Sequence, residues 1–151
     1  MRKKYIFARQ NLMTMHSRMT LLAGLSSLLI LTAACRRETR DEKFRRDFIQ
    51  FTEKECPKDL DPYTRQDSVV YDTGSRTLTY YYTVRGELDD GSIYTGEITE
   101  SVRNAELANL KSSIQMKPYK DEGINIRHIY RSITSAETLM ELTFTPDDYG
   151  N

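Results

Sequence analysis

Thr77-Leu-Thr-Tyr-Tyr-Tyr-Thr-Val84 is the stretch on which the fold turns. Seven of its eight residues are β-branched or aromatic, and such a run favours a pleated, half-buried strand over a helix. Alternation sets Leu78, Tyr80, Tyr82 and Val84 on one face and Thr77, Thr79, Tyr81 and Thr83 on the other. Just upstream, Val69-Val-Tyr71 is a second β-type run, and Asp72-Thr-Gly-Ser75 between the two supplies turn chemistry. The two runs therefore read as a hairpin whose apolar face meets a helix.

That helix lies before the hairpin. Phe44, Phe48 and Phe51 recur at i, i+4 and i+7 among charged residues, Asp41 and Glu42 favour the positive end of a helix dipole, and Pro57 stops the run. After the hairpin, Glu87 to Gly96 is polar and reads as a loop or an irregular strand extension. Ile98 to Met116 is the second predicted helix, with Leu107, Leu110 and Ile114 on one face, Val102 and Ala105 to one side, and Pro118 closing it. A second hairpin follows, Ile124 to Tyr130 and Leu139 to Phe144, with a turn around Thr134 and Ser135. The order helix–hairpin–helix–hairpin predicts an α+β fold: a four-stranded antiparallel sheet with both helices on one face. The alternative is a cystatin-like or nuclear-transport-factor-like (NTF2-like) curved sheet around one helix.

The chain before this domain is of a different kind. Leu21 to Ala34 is its only long apolar stretch, Arg2, Lys3, Lys4, Arg9 and Arg18 precede it, no acid occurs before Glu38, and Cys35 follows at once. The run is short for a transmembrane helix, which needs about 20 apolar residues, but fits a signal peptide. It resembles a bacterial lipoprotein signal with its lipobox, of Gram-negative, Bacteroidota-like type. Thr32 stands where the lipobox usually has leucine, with Leu31 one place further back. The resemblance implies that Cys35 carries lipid, palmitate included, that residues 1–34 are cut away, and that residues 35–40 tether a single domain, 41–151. Arg36 after the lipid site implies sorting to the outer membrane. Met13 and Met15 are alternative starts within the label.

Without the label, the formal charge balance of 22 basic and 22 acidic residues becomes 17 against 22. A domain with a net charge of about −5 is a poor ligand for nucleic acid, whose binding rests on phosphate neutralisation. The remaining length suits one hydrophobic core. With Cys35 lipidated, Cys56 has no partner in the chain. It reads first as a buried small hydrophobe, otherwise as a bridge to another molecule or a reactive thiol. A Cys35–Cys56 bridge requires an unlipidated Cys35.

Candidate chemistry is sparse. Asp89-Asp-Gly91 with Glu97 matches only the later part of a calcium loop, since Gly86 and Leu88 occupy ligand positions without offering a side-chain oxygen. His128 is the one histidine outside the label, on a predicted strand face shared with Ile124, Ile126 and Tyr130. One His and one Cys do not make a zinc site, and a Cys56–His128 nucleophile pair has no local signature. No Gly-rich phosphate loop, G-x-S-x-G or dinucleotide fingerprint occurs. No metal or cofactor is expected. Cys56-Pro57, Asp61, Thr64, Asp67-Ser-Val69, Tyr80 and Tyr82 resemble a loose pattern in small exported bacterial proteins, which implies the same helix–hairpin unit and no catalytic residue.

Tyrosines supply the remaining hint, because large, stiff, amphipathic rings favour recognition surfaces. Tyr71 and Tyr81 are expected on a sheet face away from the helices, with Tyr63, Tyr94 and Tyr119 in loops, and Tyr71, Tyr81 and Tyr94 form the candidate interaction surface. An open sheet face of this kind also invites a homodimer. The function expected is a lipid-anchored protein of the cell envelope, attached to the membrane by its lipid. It binds a protein or envelope component without being an enzyme. The rival is a small envelope hydrolase using acidic residues as catalysts. The anchor gives the first prediction: Cys35→Ala abolishes metabolic labelling with lipid and leaves the protein uncleaved or released. Mass spectrometry that finds an unmodified Cys35 inside a longer, intact native chain refutes it.

Overall fold

Thr39 opens the folded part of the chain by capping a helix. Its hydroxyl accepts from the Glu42 amide at 3.2 Å, and the Glu42 carboxylate accepts from the Thr39 amide at 2.8 Å, a reciprocal box that satisfies two orphan donors. The computed structural model describes residues 38–150. The expected signal peptide, Cys35 and the first part of the tether lie outside the described residues. Thr39 and Arg40, expected in the tether, are the cap and first residue of helix α1, Arg40–Glu55.

Beyond α1 run strands β1 (Lys58–Asp59), β2 (Thr64–Asp72) and β3 (Thr77–Val84), then two short 3₁₀ turns over Gly86–Asp89 and Gly91–Ile93. Helix α2 (Gly96–Ser112), short helix α3 (Lys117–Asp121), strands β4 (Asn125–Ser132) and β5 (Thr138–Phe144) and a final turn α4 (Pro146–Tyr149) complete the order. Among the described residues no helix is long and apolar enough to cross a membrane.

The α+β class agrees with the sequence, but the sheet does not. It has five strands in the order β1-β2-β3-β4-β5, and it is mixed: β3 and β4 run parallel, while the other pairs are antiparallel. The expected four-stranded antiparallel sheet is thus corrected on two counts. Two hairpins joined through helices meet by a crossover, and a crossover delivers the next strand in the parallel sense. The fifth strand, β1, is two residues long and leaves no periodicity to read. Nor does the sheet wrap a single helix, as the cystatin-like alternative requires.

One sheet face carries the core. Leu78 and Val84 of β3, Ile126 of β4, Leu142 and Phe144 of β5 and Val69 of β2 are buried there. Phe48 of α1, Leu110 of α2 and Tyr149 of α4 pack over them, with Phe44, Val102, Leu107 and Tyr119 at the margin. Phe51 and Ile114 depart from their expected places. Phe51 stays 39% exposed, because the apolar stripe of α1 narrows toward its end. Ile114 is 85% exposed, because α2 stops at Ser112 and turns its face away two residues early. Pro118 does not close α2. It sits in the first turn of α3, where its missing N–H is not needed.

The opposite face is mostly polar, with Thr79 and Ile129 buried among its longer side chains. Asp67 joins Arg65 at 2.7 Å and accepts from the Thr83 hydroxyl, Arg127 donates to Thr79, and Arg127 lies 3.7 Å from Glu141. The outer edge of β2, left bare beyond β1, is blunted by one side chain. The Thr52 hydroxyl of α1 donates to the Val69 carbonyl at 2.7 Å and accepts from the Val69 amide at 2.9 Å, so the backbone groups most able to recruit a foreign strand are occupied.

The packing of α1 gives a direct test by urea unfolding. Phe48→Ala removes a core ring and should lower stability by about 3–5 kcal/mol. Phe51→Ala, on the same helix but half in solvent, should cost about 1 kcal/mol or less. Equal midpoints for the two variants contradict this arrangement of α1 on the sheet.

Candidate functional site

Parallel register places like beside like across β3 and β4: Leu78 opposite Ile126, Tyr80 opposite His128, and Tyr82 opposite Tyr130. All six side chains point to the helix side. The tyrosines stack along the sheet, Tyr80 on Tyr82 with centroids 6.3 Å apart and Tyr82 on Tyr130 at 4.9 Å. The His128 ring stands edge-on to Tyr80 and Tyr82, at 5.1 and 5.8 Å, and to Phe144 at 5.9 Å.

Helix α2 does not close down fully on this floor. Glu106, Asn109, Leu110 and Ser113 share one stripe at i, i+3, i+4 and i+7, and between that stripe and the sheet lies a cleft of about 180 Å³. Tyr80, Tyr82, Ile126 and His128 form its floor, and Met116 closes one end, its sulfur accepting from the Tyr80 hydroxyl at 3.5 Å.

The ionisable groups of the cleft are desolvated, and each shift follows from that. Burial holds the His128 imidazole down to about pKa 4, because the charged ring would lose its hydration. The Tyr80 hydroxyl is pushed up to about 12, and those of Tyr82 and Tyr130 higher still, chiefly by burial. Burial also raises the Glu106 carboxyl above its ordinary value. Glu106 Oε2 lies 3.6 Å from His128 Nδ1, and His128 Nδ1 is buried without a hydrogen-bond partner. Among the described residues no lysine or arginine pairs with Glu106. Arg103, one turn earlier, is engaged by Asp148 and the Thr143 carbonyl and lies over Phe144.

The residues picked from the sequence scatter. Tyr71 is only 3% exposed on the helix side, its hydroxyl donating to Asp41 at 2.6 Å, and it is not part of an open face. The hairpin register brings it there, since the turn pairs Asp72 with Thr77 and therefore Tyr71 with Leu78. Tyr81 does occupy the polar face, with the Arg131 guanidinium 5.0 Å from its ring centroid. Tyr94 is half-buried at the core margin and donates to the Leu88 carbonyl at 2.7 Å. Tyr119 is in α3, not in a loop, and packs edge-on against Phe44. Tyr63 is exposed and abuts Gly86, whose φ of +61° makes a side chain there strained and whose closeness to the Tyr63 ring makes a Cβ tight. The three tyrosines proposed as one surface therefore lie in three different environments.

The Cys56 thiol is half-buried and accepts from Gln66 Nε2 at 3.5 Å, with no hydrogen bond to His128. Asp89 and Asp90, in the calcium-like stretch, instead hold turns: Asp89 accepts from Thr134, and Asp90 caps the amide of Ser92. Sequence reading singled out His128 but passed over Glu106. The signal was there in the α2 stripe, where one acid interrupts an otherwise apolar and small set of positions.

The geometry can be set beside known proteins. A family described as a domain of unknown function, DUF8479, has a model that matches residues 39–140. The chain belongs to this DUF8479 family. The matched span contains both walls of the cleft. No curated protein matches the sequence. Among solved structures, a protein of Pseudomonas aeruginosa classed as secreted aligns with a TM-score of 0.62 at 10% identity, covering 77% of this chain and 98% of its own. The pilotin EpsS of the Vibrio vulnificus type 2 secretion system aligns with a TM-score of 0.55 at 9% identity, covering 76% and 96%. At such identities the shared property is the fold.

Burial of His128 makes a prediction about acid. A folded-state pKa near 4 lies below the usual 6.5, so between these values the unfolded chain binds more protons than the folded one. Stability from this group should be intact above about pH 6.5 and should fall as pH drops toward 4. Glu106, the carboxyl facing it, acts in the opposite sense because its pKa is raised. His128→Phe should flatten the decline between pH 6.5 and 4 in urea unfolding. An NMR titration placing the His128 transition near 6.5 refutes the assignment.

Proposed function

We propose that this protein is a lipid-anchored component of the cell envelope, attached through Cys35 at the outer membrane. Its folded domain acts as a non-enzymatic module that holds a protein partner in the cleft between α2 and the sheet. The observation that carries this reading is the make-up of the cleft. It sets aromatic, aliphatic and thioether surface beside a few polar groups of α2 and β4, and its imidazole and phenols ionise far from neutral pH. A general base works best with a pKa near the operating pH, whereas His128 sits at about 4. Two-carboxylate glycoside hydrolysis needs a facing pair, and Glu106 is the only carboxylate among the described residues that line the cleft.

Fold analogy supports the same reading. A pilotin and a protein classed as secreted share this architecture over nearly their whole lengths. We therefore place the chain among envelope proteins that serve a partner in secretion or assembly. This step is analogy, since one fold hosts many functions.

Site-specific photo-cross-linking in cells tests the proposal. A photoreactive residue at Asn109, on the α2 wall of the cleft, should give a discrete adduct with one envelope protein. The same residue at Thr143, exposed on the edge strand β5, should not. Failure of Asn109 to cross-link, or substrate turnover that Glu106→Gln abolishes, refutes the module reading.

A further inference from the structure

Resting on the protein-binding reading above, we infer that the cleft receives one basic side chain of the partner, lysine or arginine, with Glu106 as its counter-ion. The stem lies along Tyr80, Tyr82 and Met116, and the cation meets Glu106 and His128 at the α2 wall.

A carboxylate oxygen and an imidazole nitrogen face each other here without meeting. Glu106 Oε2 is an acceptor, and His128 Nδ1 has no partner at 3.6 Å from it, just too far for the two to satisfy one another. Glu106 Oε2 accepts whenever the carboxyl is ionised, and in the neutral tautomer with its hydrogen on Nε2 the Nδ1 atom accepts too, so a single N–H-bearing cation beside both atoms serves both. An ammonium or guanidinium does so with a charge-assisted bond to the carboxylate, the stronger class of hydrogen bond. Nearby cations are committed elsewhere. Lys120 donates to the Leu110 and Lys111 carbonyls at 2.8 and 2.7 Å, and Arg103 is held by Asp148 and Thr143.

The remaining walls suit the rest of such a side chain. Aromatic and thioether surface accommodates an aliphatic stem, as long basic side chains ordinarily lie on apolar surface with the charge at the tip. Asn109 and Ser113 continue the acceptor row along α2. Size argues for one side chain. Sites for drug-sized ligands run from about 300 to 1,000 Å³, and this cleft is about 180 Å³.

The test uses the intact protein and small probes followed by NMR at the Met116 methyl and the His128 ring. The probes are n-butylammonium, n-butylguanidinium and the neutral n-butanol. Either cation should bind saturably, at least about tenfold tighter than butanol, and Glu106→Gln should remove that advantage. Cation binding should also lower the Glu106 carboxyl pKa, read by ¹³C NMR, a signature that a merely structural role for Glu106 would not give. The urea midpoint of Glu106→Gln, unchanged or raised, shows that the variant is folded. Equal binding of butanol and the cations, no binding of either cation, or full retention of the cation preference in Glu106→Gln overturns the inference. Failure of the parent reading is distinct: the cations bind, yet Asn109 never cross-links to a protein.

Discussion

The parallel pairing of β3 with β4 is the constraint on which the rest of the domain depends. It sets both tyrosine-bearing strands side by side in the middle of the sheet, so that Tyr80, Tyr82, His128 and Tyr130 form one continuous aromatic floor. Strands paired in this sense cannot be joined by a tight turn; the chain has to pass over the sheet. That passage is α2 and α3, and it brings Glu106 and Met116 above the floor. Floor and wall are therefore consequences of one topological choice. An antiparallel β3–β4 pair joined by a short turn would place the same residues in a sheet with nothing over them.

The two sheet faces handle polarity differently. On the polar face, polar groups are matched: Asp67 with Arg65 and Thr83, Arg127 with Thr79 and Glu141. Exposed pairs of that kind contribute little stability, but they leave no desolvated charge behind. On the helix face, Tyr71 is matched with Asp41, and Tyr149 donates to the Ile124 carbonyl. His128 Nδ1 is the exception there, buried 3.6 Å from the partly exposed Glu106 carboxylate. A desolvated acceptor without a donor costs stability, and proteins concentrate such deficits at sites where a ligand makes up the difference.

Much of the fold was legible from local pattern. The β3 run, both hairpins and the Phe44–Phe48 face of α1 are carried by residue types and spacings that need no tertiary information. Strand direction was not, because a helix between two hairpins is compatible with more than one sheet order, and side-chain periodicity carries no sense of parallel or antiparallel. The face of Tyr71 was misread for a related reason: the short run Val69–Tyr71 does not say which residue faces Leu78 until the turn sets the register, and the turn puts Tyr71 there. As for the site, His128 could be placed on the correct strand face from Ile126 and Tyr130. Its partner could not, since Glu106 lies on α2 and the two meet only once the crossover has been made.

Displacement of the His128 and Tyr80 ionisations away from neutral pH also bears on the chemistry of the cleft. An acid–base site keeps at least one group near pH 7, so that protonated and deprotonated forms are both within reach. Here burial holds the imidazole at about 4 and Tyr80 at about 12, so both keep fixed protonation states around neutral pH, while burial raises the Glu106 carboxyl. Fixed states make these two groups poor proton shuttles, and that constancy comes from burial by the very rings that shape the floor. The stacked tyrosines of β3 and β4 thus do two things at once, closing the core of a small domain and keeping the His128 imidazole neutral.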